Sequence, residues 1–481
     1  MTIKLVVLAL YAAMIVFMGV RAMRGTQSFN DFFLGGGKIG PWMTAFTYGT
    51  AYFSAVVFIG FAGKVGWGFG FSGLWVALGN SLVGVLAVWW FMGPRIRAMV
   101  QHYGVHTMGE FFEVRYESRF LKLFGALSVF VFFIPYTAAV FMGLSYLFES
   151  IFNVPYWVAL VGMGGFTALY LVLGGYKAMT MIDMAFGMIM TVGVIVLVVA
   201  TLDAGDGLAG IARTLSAQDP RLTGPVGPPG WWPLVSLVFL TSVAPFGMPQ
   251  LVQKFYAIRD ERSIRIGMWA STAFALLIGG VAYFVGASTR ALLSTGNAPA
   301  AFTADGAPVF DRLMPELLDK VMPDSLVILL LLVLLSASMS TLAALVLVSS
   351  SAVVKDFYAG FVRRGASDRW LTLLMRLSSA TFVALSVVLA LARPATIVTI
   401  LGISWGAIGS VFIGPFVWGL CWRRMHRIGA ITGAVVALTV CLGLYFAGWS
   451  SPQAGTIGML VSLGLSPLVS LVVPRTARPV Q

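Results

Sequence analysis

The sequence predicts an all-α integral membrane protein, a single transmembrane domain over residues 1–481 with thirteen spanning helices. Three observations lead there. Hydrophobic residues make up 59% of the chain and charged residues 10%, with a mean hydropathy of +0.92, a composition foreign to water-soluble domains. Apolar runs long enough to cross a bilayer recur from end to end. Two of these runs, about 195 residues apart, are interrupted near their middles, and each opens a set of five. Because five is odd, the second set enters the membrane from the opposite side, the signature of a five-plus-five inverted repeat.

The spans fall at 3–22, 40–65, 70–99, 119–150, 155–175, 180–202, 230–257, 262–291, 324–356, 370–392, 394–421, 428–447 and 455–474. The first is an extra N-terminal helix. The run from Ile3 to Val20 is long for a signal-peptide core, and no A-x-A cleavage site follows it, so it is expected to be retained. Residues 40–202 form the first repeat, 230–421 the second, and 428–474 two extra C-terminal helices. With the N-terminus outside, only 8 of the 31 Lys and Arg lie outside: Lys4, Lys64, Arg213, Arg221, Arg290, Arg312, Lys320 and Arg393. The other 23 are cytoplasmic, which predicts an N-out, C-in protein of the cell (inner or plasma) membrane.

Two longer loops fall outside. Residues 203–229, rich in Pro, Gly and Asp, are expected to be irregular. Residues 292–323 carry Phe310, Leu313, Met314, Leu317, Leu318 and Val321 on a helical period, which predicts a short amphipathic helix over the bundle. The tail after Val473 is too short for a signalling domain.

The net charge of +13 sits in short loops between spans. It reports orientation in the lipid bilayer and gives no reason to expect a nucleic-acid partner. Cys421 and Cys441 lack CxxC or His spacing, which favours packing over a disulfide or zinc site. His102 and His106 are spaced i, i+4 but have no third ligand in an obvious position. The Gly-rich FLGGGKIGPW from Phe33 lacks P-loop spacing, with Ile39 where a hydroxyl should follow Lys38, and reads as a lead-in to span 2. Nothing here calls for a cofactor, and the sequence sets no oligomeric state.

The interruptions are chemically distinct. In span 7, LTSVAPFGMPQL (Leu240 to Leu251) packs Pro245, Gly247 and Pro249 into five residues, removing donors and opening the helix. In span 2, Gly49, Thr50, Ala51 and Ser54 interrupt an apolar run. Span 9 carries SASMSTLAALVLVSSS (Ser336 to Ser351). Its residues Ala337, Ser340, Thr341 and Ala344 share one face at i, i+3, i+4 and i+7. That face is small and oxygen-bearing. Such hydroxyls can bond their own i−4 carbonyls or ease helix packing. They can also help coordinate a hard monovalent cation without a carboxylate.

Four motifs resemble the sodium:solute symporter family, which carries proline, pantothenate, sugars, sialic acid and monocarboxylates. They are the stretch around Gly49 to Ser54; TMGEFFEVRY from Thr107; LGGYKAMTMID from Leu173; and ASMSTLAALVLVSSSAVVKDFY from Ala337. The segment FGMPQLVQKF from Phe246 is similar to the proline-carrying branch. The resemblance implies a leucine-transporter-like fold and a sodium ion as coupling ion, held between spans 2 and 9. Its ligands would be the carbonyls of Thr50, Phe53 and Ala337 and the hydroxyls of Ser340 and Thr341. Asp183 matches an aspartate used for a second sodium elsewhere in the family. Its partner hydroxyl positions are Ala343 and Ala344 here, so one sodium per cycle is expected, with Asp183 in another polar network.

Implied substrate positions are Tyr52 and Ser54 in span 2 and Thr241, Ser242, Pro245 and Phe246 in span 7. Tyr136, beside Pro135 in span 4, could also face the cavity. The chain departs from its relatives at these places. Tyr52 replaces an acidic residue of the proline branch, while Thr241 and Pro245 replace aromatics. Val57 and Leu74 replace the sugar branch's Gln and Glu, and span 4 has no arginine of the sialic-acid kind. The expected partner is therefore a small organic solute, an amino acid or short organic (monocarboxylic) acid, moved by symport. A proton-coupled carrier or a non-transporting nutrient sensor of the same fold are alternatives. An integral-membrane enzyme would need clustered acidic, His or Cys residues at membrane depth, and the sequence offers none.

Overall fold

A computed structural model of the chain describes residues 2–23, 40–54, 56–321 and 324–473. The Gly-rich lead-in at 33–39 and the tail after Val473 lie outside them. Helix α1 spans Thr2–Met23 and α2 spans Pro41–Tyr52, with proline at its first turn, where a missing N–H is harmless. A π-helical turn, Val56–Phe61, leads into α3 (Ala62–Phe69). At Gly70 the backbone takes φ +59 and turns back. It continues as α4 (Leu74–Gly79), a π-helical stretch Asn80–Met92, and α5 (Gly93–Tyr103).

Short α6 (Met108–Tyr116) and long α7 (Arg119–Phe152) are capped by Thr107 and Ser118, whose hydroxyls accept from the N–H groups of Glu110 and Leu121. Next come α8 (Tyr156–Ala204), α9 (Gly207–Gln218), α10 (Trp231–Val243), α11 (Pro249–Tyr256) and α12 (Glu261–Leu292). The chain ends with α13 (Phe310–Val321), α14 (Asp324–Ser351, running on as a π-helical Ala352–Val362), α15 (Asp368–Ala392), α16 (Ile397–Cys421), α17 (Arg427–Phe446) and α18 (Ser451–Val472).

Ten helical segments among the described residues are long and apolar enough to cross a membrane. Their outward faces carry large apolar side chains such as Trp90, Trp269 and Val388, each more than 60% exposed. On a soluble protein such a surface would aggregate; against lipid tails it costs nothing. Helix α14 lies at the centre, against α2, α7, α8 and α15, and every residue from Val333 to Leu347 is buried.

Two expectations change. Residues 155–175 and 180–202 were expected as two spans, whereas the backbone is helical without a break from Tyr156 to Ala204. No proline interrupts those 49 residues. At about 1.5 Å per residue they far exceed the ~30 Å of a hydrocarbon core. Residues 203–229 are also not all irregular. In α9, Ile211 and Leu215 share a face that packs with Leu222 against Phe71, Leu202 and Phe284. Glycine and aspartate around that short period hide it in the sequence. The amphipathic helix of the other loop is present as α13, with Leu313, Met314, Leu317 and Leu318 buried.

Helix α13 also ties the second loop to the bundle. The Asp311 carboxylate accepts the backbone N–H of Ile397 at 3.2 Å, capping α16 from another helix. Burial pushes the Asp311 carboxyl up to about 6, with the Ile397 N–H and Lys64 pulling the other way. A carboxyl whose folded-state pKa exceeds its unfolded value favours folding most at low pH. Stability should therefore fall as pH rises from about 4 to 6, by roughly 2–3 kcal/mol, and then level off. Asp311→Asn is expected to lack that slope in thermal unfolding of detergent-purified protein, and equal slopes would contradict the assignment.

Candidate functional site: two broken helices against a hydroxyl-bearing helix

Span 2 breaks one turn later than Gly49. The α2 helix runs through Gly49, and the Phe53 N–H still closes on the Gly49 carbonyl at 3.1 Å. Phe53 then turns extended, with φ −103 and ψ 113. Among the described residues, helical bonding resumes with the Ser54 carbonyl, which accepts from Val57 at 2.9 Å. Gly49 serves packing instead: a Cβ there would lie 2.6 Å from the Phe274 ring. The carbonyls of the last α2 turn are left at the centre of the bundle, carrying the partial negative charge of a helix C-terminus.

Helix α14 meets that end with its hydroxyl face. Thr341 Oγ1 lies 3.1 Å from the Ala337 carbonyl, 3.2 Å from that of Ala51 and 3.4 Å from that of Thr50. Ser340 Oγ lies 2.9 Å from Thr50 Oγ1, which also reaches the Phe46 carbonyl at 2.7 Å. Thr50, Phe53, Ala337, Ser340 and Thr341 are all 0% exposed. Thr341 has one proton for three carbonyls, so the cluster has more acceptor oxygens than donors. The Ala51 carbonyl belongs to this group although the sequence had not singled it out.

Span 7 breaks at its prolines. Helix α10 ends at Val243, a 3₁₀ turn covers Ala244–Phe246, and α11 starts with Pro249. Gly247 sits against α16, where a Cβ would be 2.9 Å from Ile413 Cα. The Tyr52 hydroxyl joins the two breaks by donating to the Thr241 carbonyl at 2.6 Å. Ser242 Oγ donates to Asn80 Oδ1 at 3.2 Å. The Thr241 and Ser54 hydroxyls bond locally, to the Leu237 carbonyl and the Val56 N–H. Pro245 is buried in the 3₁₀ turn, and Phe246 packs half-buried on the core. Tyr136 is brought to Tyr52 through Trp405 of α16, whose ring stands edge-on to both, with centroids 6.1 and 5.9 Å away.

Asp183 is 0% exposed, and neither carboxylate oxygen closes a hydrogen bond, although Thr47, Ser340 and Lys254 are its polar neighbours. Lys254, also fully buried, lies 3.6 Å from Met179 Sδ and over the Tyr176 ring, on the same α8 stripe as Asp183. Elsewhere two of the motifs clasp each other. Thr107 Oγ1 donates to Asp356 at 2.6 Å, and Lys355 pairs with Glu110 at 3.1 Å. Asn80, Lys254 and Trp405 were missed by sequence reasoning, as was Gly84, whose lack of a side chain makes room for Tyr52 (a Cβ there would lie 2.8 Å from the Tyr52 hydroxyl). Asn80 and Lys254, as polar residues inside apolar spans, were the available signal.

Residues 32–437 match the sodium:solute symporter family. The chain belongs to that family. It is 29% identical to the osmoregulated proline transporter OpuE of Bacillus subtilis, over 99% of this chain and 96% of that protein. It is 28% identical to the sodium/pantothenate symporter of Escherichia coli, over 92% of each. Among solved structures, a Na+-coupled sialic acid symporter in a substrate-bound outward-open state superposes with a TM-score of 0.83 over 98% of both chains at 16% identity. MhsT in complex with L-phenylalanine gives 0.53 over 90% of this chain and 97% of that one, at 15% identity. The fold of this symporter-family chain is thus that of leucine-transporter-like carriers. Family members are membrane transporters and not enzymes.

Proposed function

We propose that this protein is a sodium-coupled secondary transporter that carries a small organic solute, an amino acid or short organic acid, with one sodium per cycle. The proposed sodium ligands are the carbonyls of Thr50, Phe53 and Ala337 and the hydroxyls of Ser340 and Thr341. One observation carries this reading: a hydroxyl of α14 packed against the Thr50 and Ala51 carbonyls at the unwound end of α2. A cation there satisfies several oxygens that a single hydroxyl proton cannot. Relatives named for proline and pantothenate transport support a solute bearing a carboxylate.

In this account the chain crosses N-out, C-in as two inverted repeats, with the unbroken Tyr156–Ala204 helix standing where the sequence placed the fifth and sixth spans. Sodium entering from outside fastens α2 to α14 and organises the solute cavity around Tyr52, Ser54, Tyr136, Thr241, Ser242, Pro245 and Phe246. The repeats then rock to release both inside. One sodium crossing ~100 mV supplies about 2.3 kcal/mol, enough to concentrate a neutral solute about 50-fold before the sodium gradient is added.

Asp183 favours a second reading, proton coupling, because a buried carboxylate can carry a proton across the cycle. Uptake of L-proline, lactate and pantothenate into proteoliposomes, with sodium and proton gradients imposed separately, tests both. The account expects accumulation driven by sodium alone. Accumulation under a proton gradient without sodium would transfer the driver to Asp183, and binding without flux under either would mark a sensor.

A further inference from the structure

Trp405 is 4% exposed, and its indole N–H closes no hydrogen bond of full geometry, meeting only the Tyr136 hydroxyl off the ideal line. An indole can donate but never accept, and a buried donor left without an aligned partner is a standing cost that folded proteins rarely keep without use. The position of this donor is informative. It lies on α16 between Tyr52, at the unwound end of α2, and Tyr136, just after the proline in α7. The Tyr52 hydroxyl is committed to the Thr241 carbonyl, so it offers no free proton there. The Thr241 hydroxyl donates to its own backbone at Leu237, whereas Ser54 Oγ accepts from the Val56 N–H and is held to its own turn by that bond. Among the solute positions set out above, the indole N–H is a donor held in reserve.

Building on the sodium-symport reading, we infer that Trp405 is the specificity-determining donor to the carboxylate of the transported solute, with the Tyr52 and Tyr136 rings flanking it. The chemistry sets the solute class. A single neutral donor between aromatic rings suits one compact acceptor group on an otherwise apolar or ammonium-bearing body, since aromatic rings also accept cations. Polyols would leave most of their hydroxyls unpaired there. A hydrogen bond to a carboxylate is charge-assisted and stronger than one between neutral partners, so its loss should appear in solute affinity and not in sodium binding.

Trp405→Phe keeps an aromatic ring and removes the donor. Sodium-driven uptake in proteoliposomes would be measured for L-proline, glycine betaine and lactate, for the carboxylate-free analogues L-prolinol and choline, and for glucose. Wild-type protein is expected to take up at least one carboxylate probe and to discriminate against its alcohol analogue. The variant should raise the KM of that probe at least tenfold. Its sodium-induced thermal stabilisation, measured without solute, should stay within twofold of wild type in half-saturating sodium.

An unchanged KM in Trp405→Phe, or uptake confined to glucose or the alcohols, overturns the assignment while sodium coupling stands. If the variant loses sodium-induced stabilisation, competition on wild type decides, and alcohols competing as well as acids overturn it. Absence of sodium-driven uptake for every probe counts against both the assignment and the symport reading beneath it.

Discussion

Replacing Ser340 and Thr341 together by alanine is expected to raise the sodium concentration for half-maximal uptake by at least about 100-fold. Each hydroxyl that contacts a cation contributes on the order of 1.5–3 kcal/mol, so a single variant should shift sodium dependence roughly 10- to 150-fold. Thr341→Ala should cost more than Ser340→Ala, because Thr341 touches carbonyls of both helices whereas Ser340 reaches the Thr50 hydroxyl and faces Asp183. Solute KM at saturating sodium should change little. Ser349→Ala is the control: its hydroxyl is buried on the same helix without a partner, and its removal should leave sodium dependence alone. Equal sodium curves for the double variant and wild type would remove these side chains from the site.

The second large effect is structural. Gly66 of α3 and Gly286 of α12 face each other so closely that a Cβ on Gly66 would lie 2.1 Å from the Gly286 carbonyl carbon. A Cβ on Gly286 would lie 2.0 Å from the Ala62 oxygen. Both obstacles are backbone, so no rotamer change relieves the clash. Such glycines let membrane helices approach through their main chains, where dispersion replaces the absent hydrophobic drive. Gly66→Ala or Gly286→Ala should therefore cost about 3 kcal/mol or more, against the usual gain of alanine over glycine in a helix. Gly280→Ala on the same α12 helix meets nothing within 4 Å and should be neutral or stabilising. The fraction of monodisperse protein after heating in detergent, compared across the three variants, checks the contrast. Equal stability would show that the two helices are not in backbone contact.

The parts of the site that were legible follow strong local rules. The face of Ala337, Ser340, Thr341 and Ala344 rests on helical period alone, and the span 7 break on three residues that cannot continue a helix. The span 2 break was less legible because it contains no proline. Gly49 drew attention as a breaker but proved to be a packing glycine, and the true opening at Phe53 is set by what surrounds α2. Trp405 and Gly84 could not be read at all, since a single residue in an apolar run carries no period and its partners lie far away in sequence. Lys254 is a cation in an apolar span that sequence reasoning passed over, and only the fold brings it to the Asp183 face of α8. The continuity of α8 was hidden for the opposite reason, because Gly174 and Gly175 resemble a loop in composition but do not forbid a helix.

The central claim is that an alkali ion is caged where the unwound end of α2 meets the alcohol groups of α14. Equilibrium binding of radioactive sodium to the purified protein, counted per chain, tests it most directly. The account predicts one saturable ion per chain in the wild type, and none in the Ser340→Ala, Thr341→Ala double variant at the same concentrations. Full binding retained by the double variant, or no saturable sodium in the wild type, would contradict it.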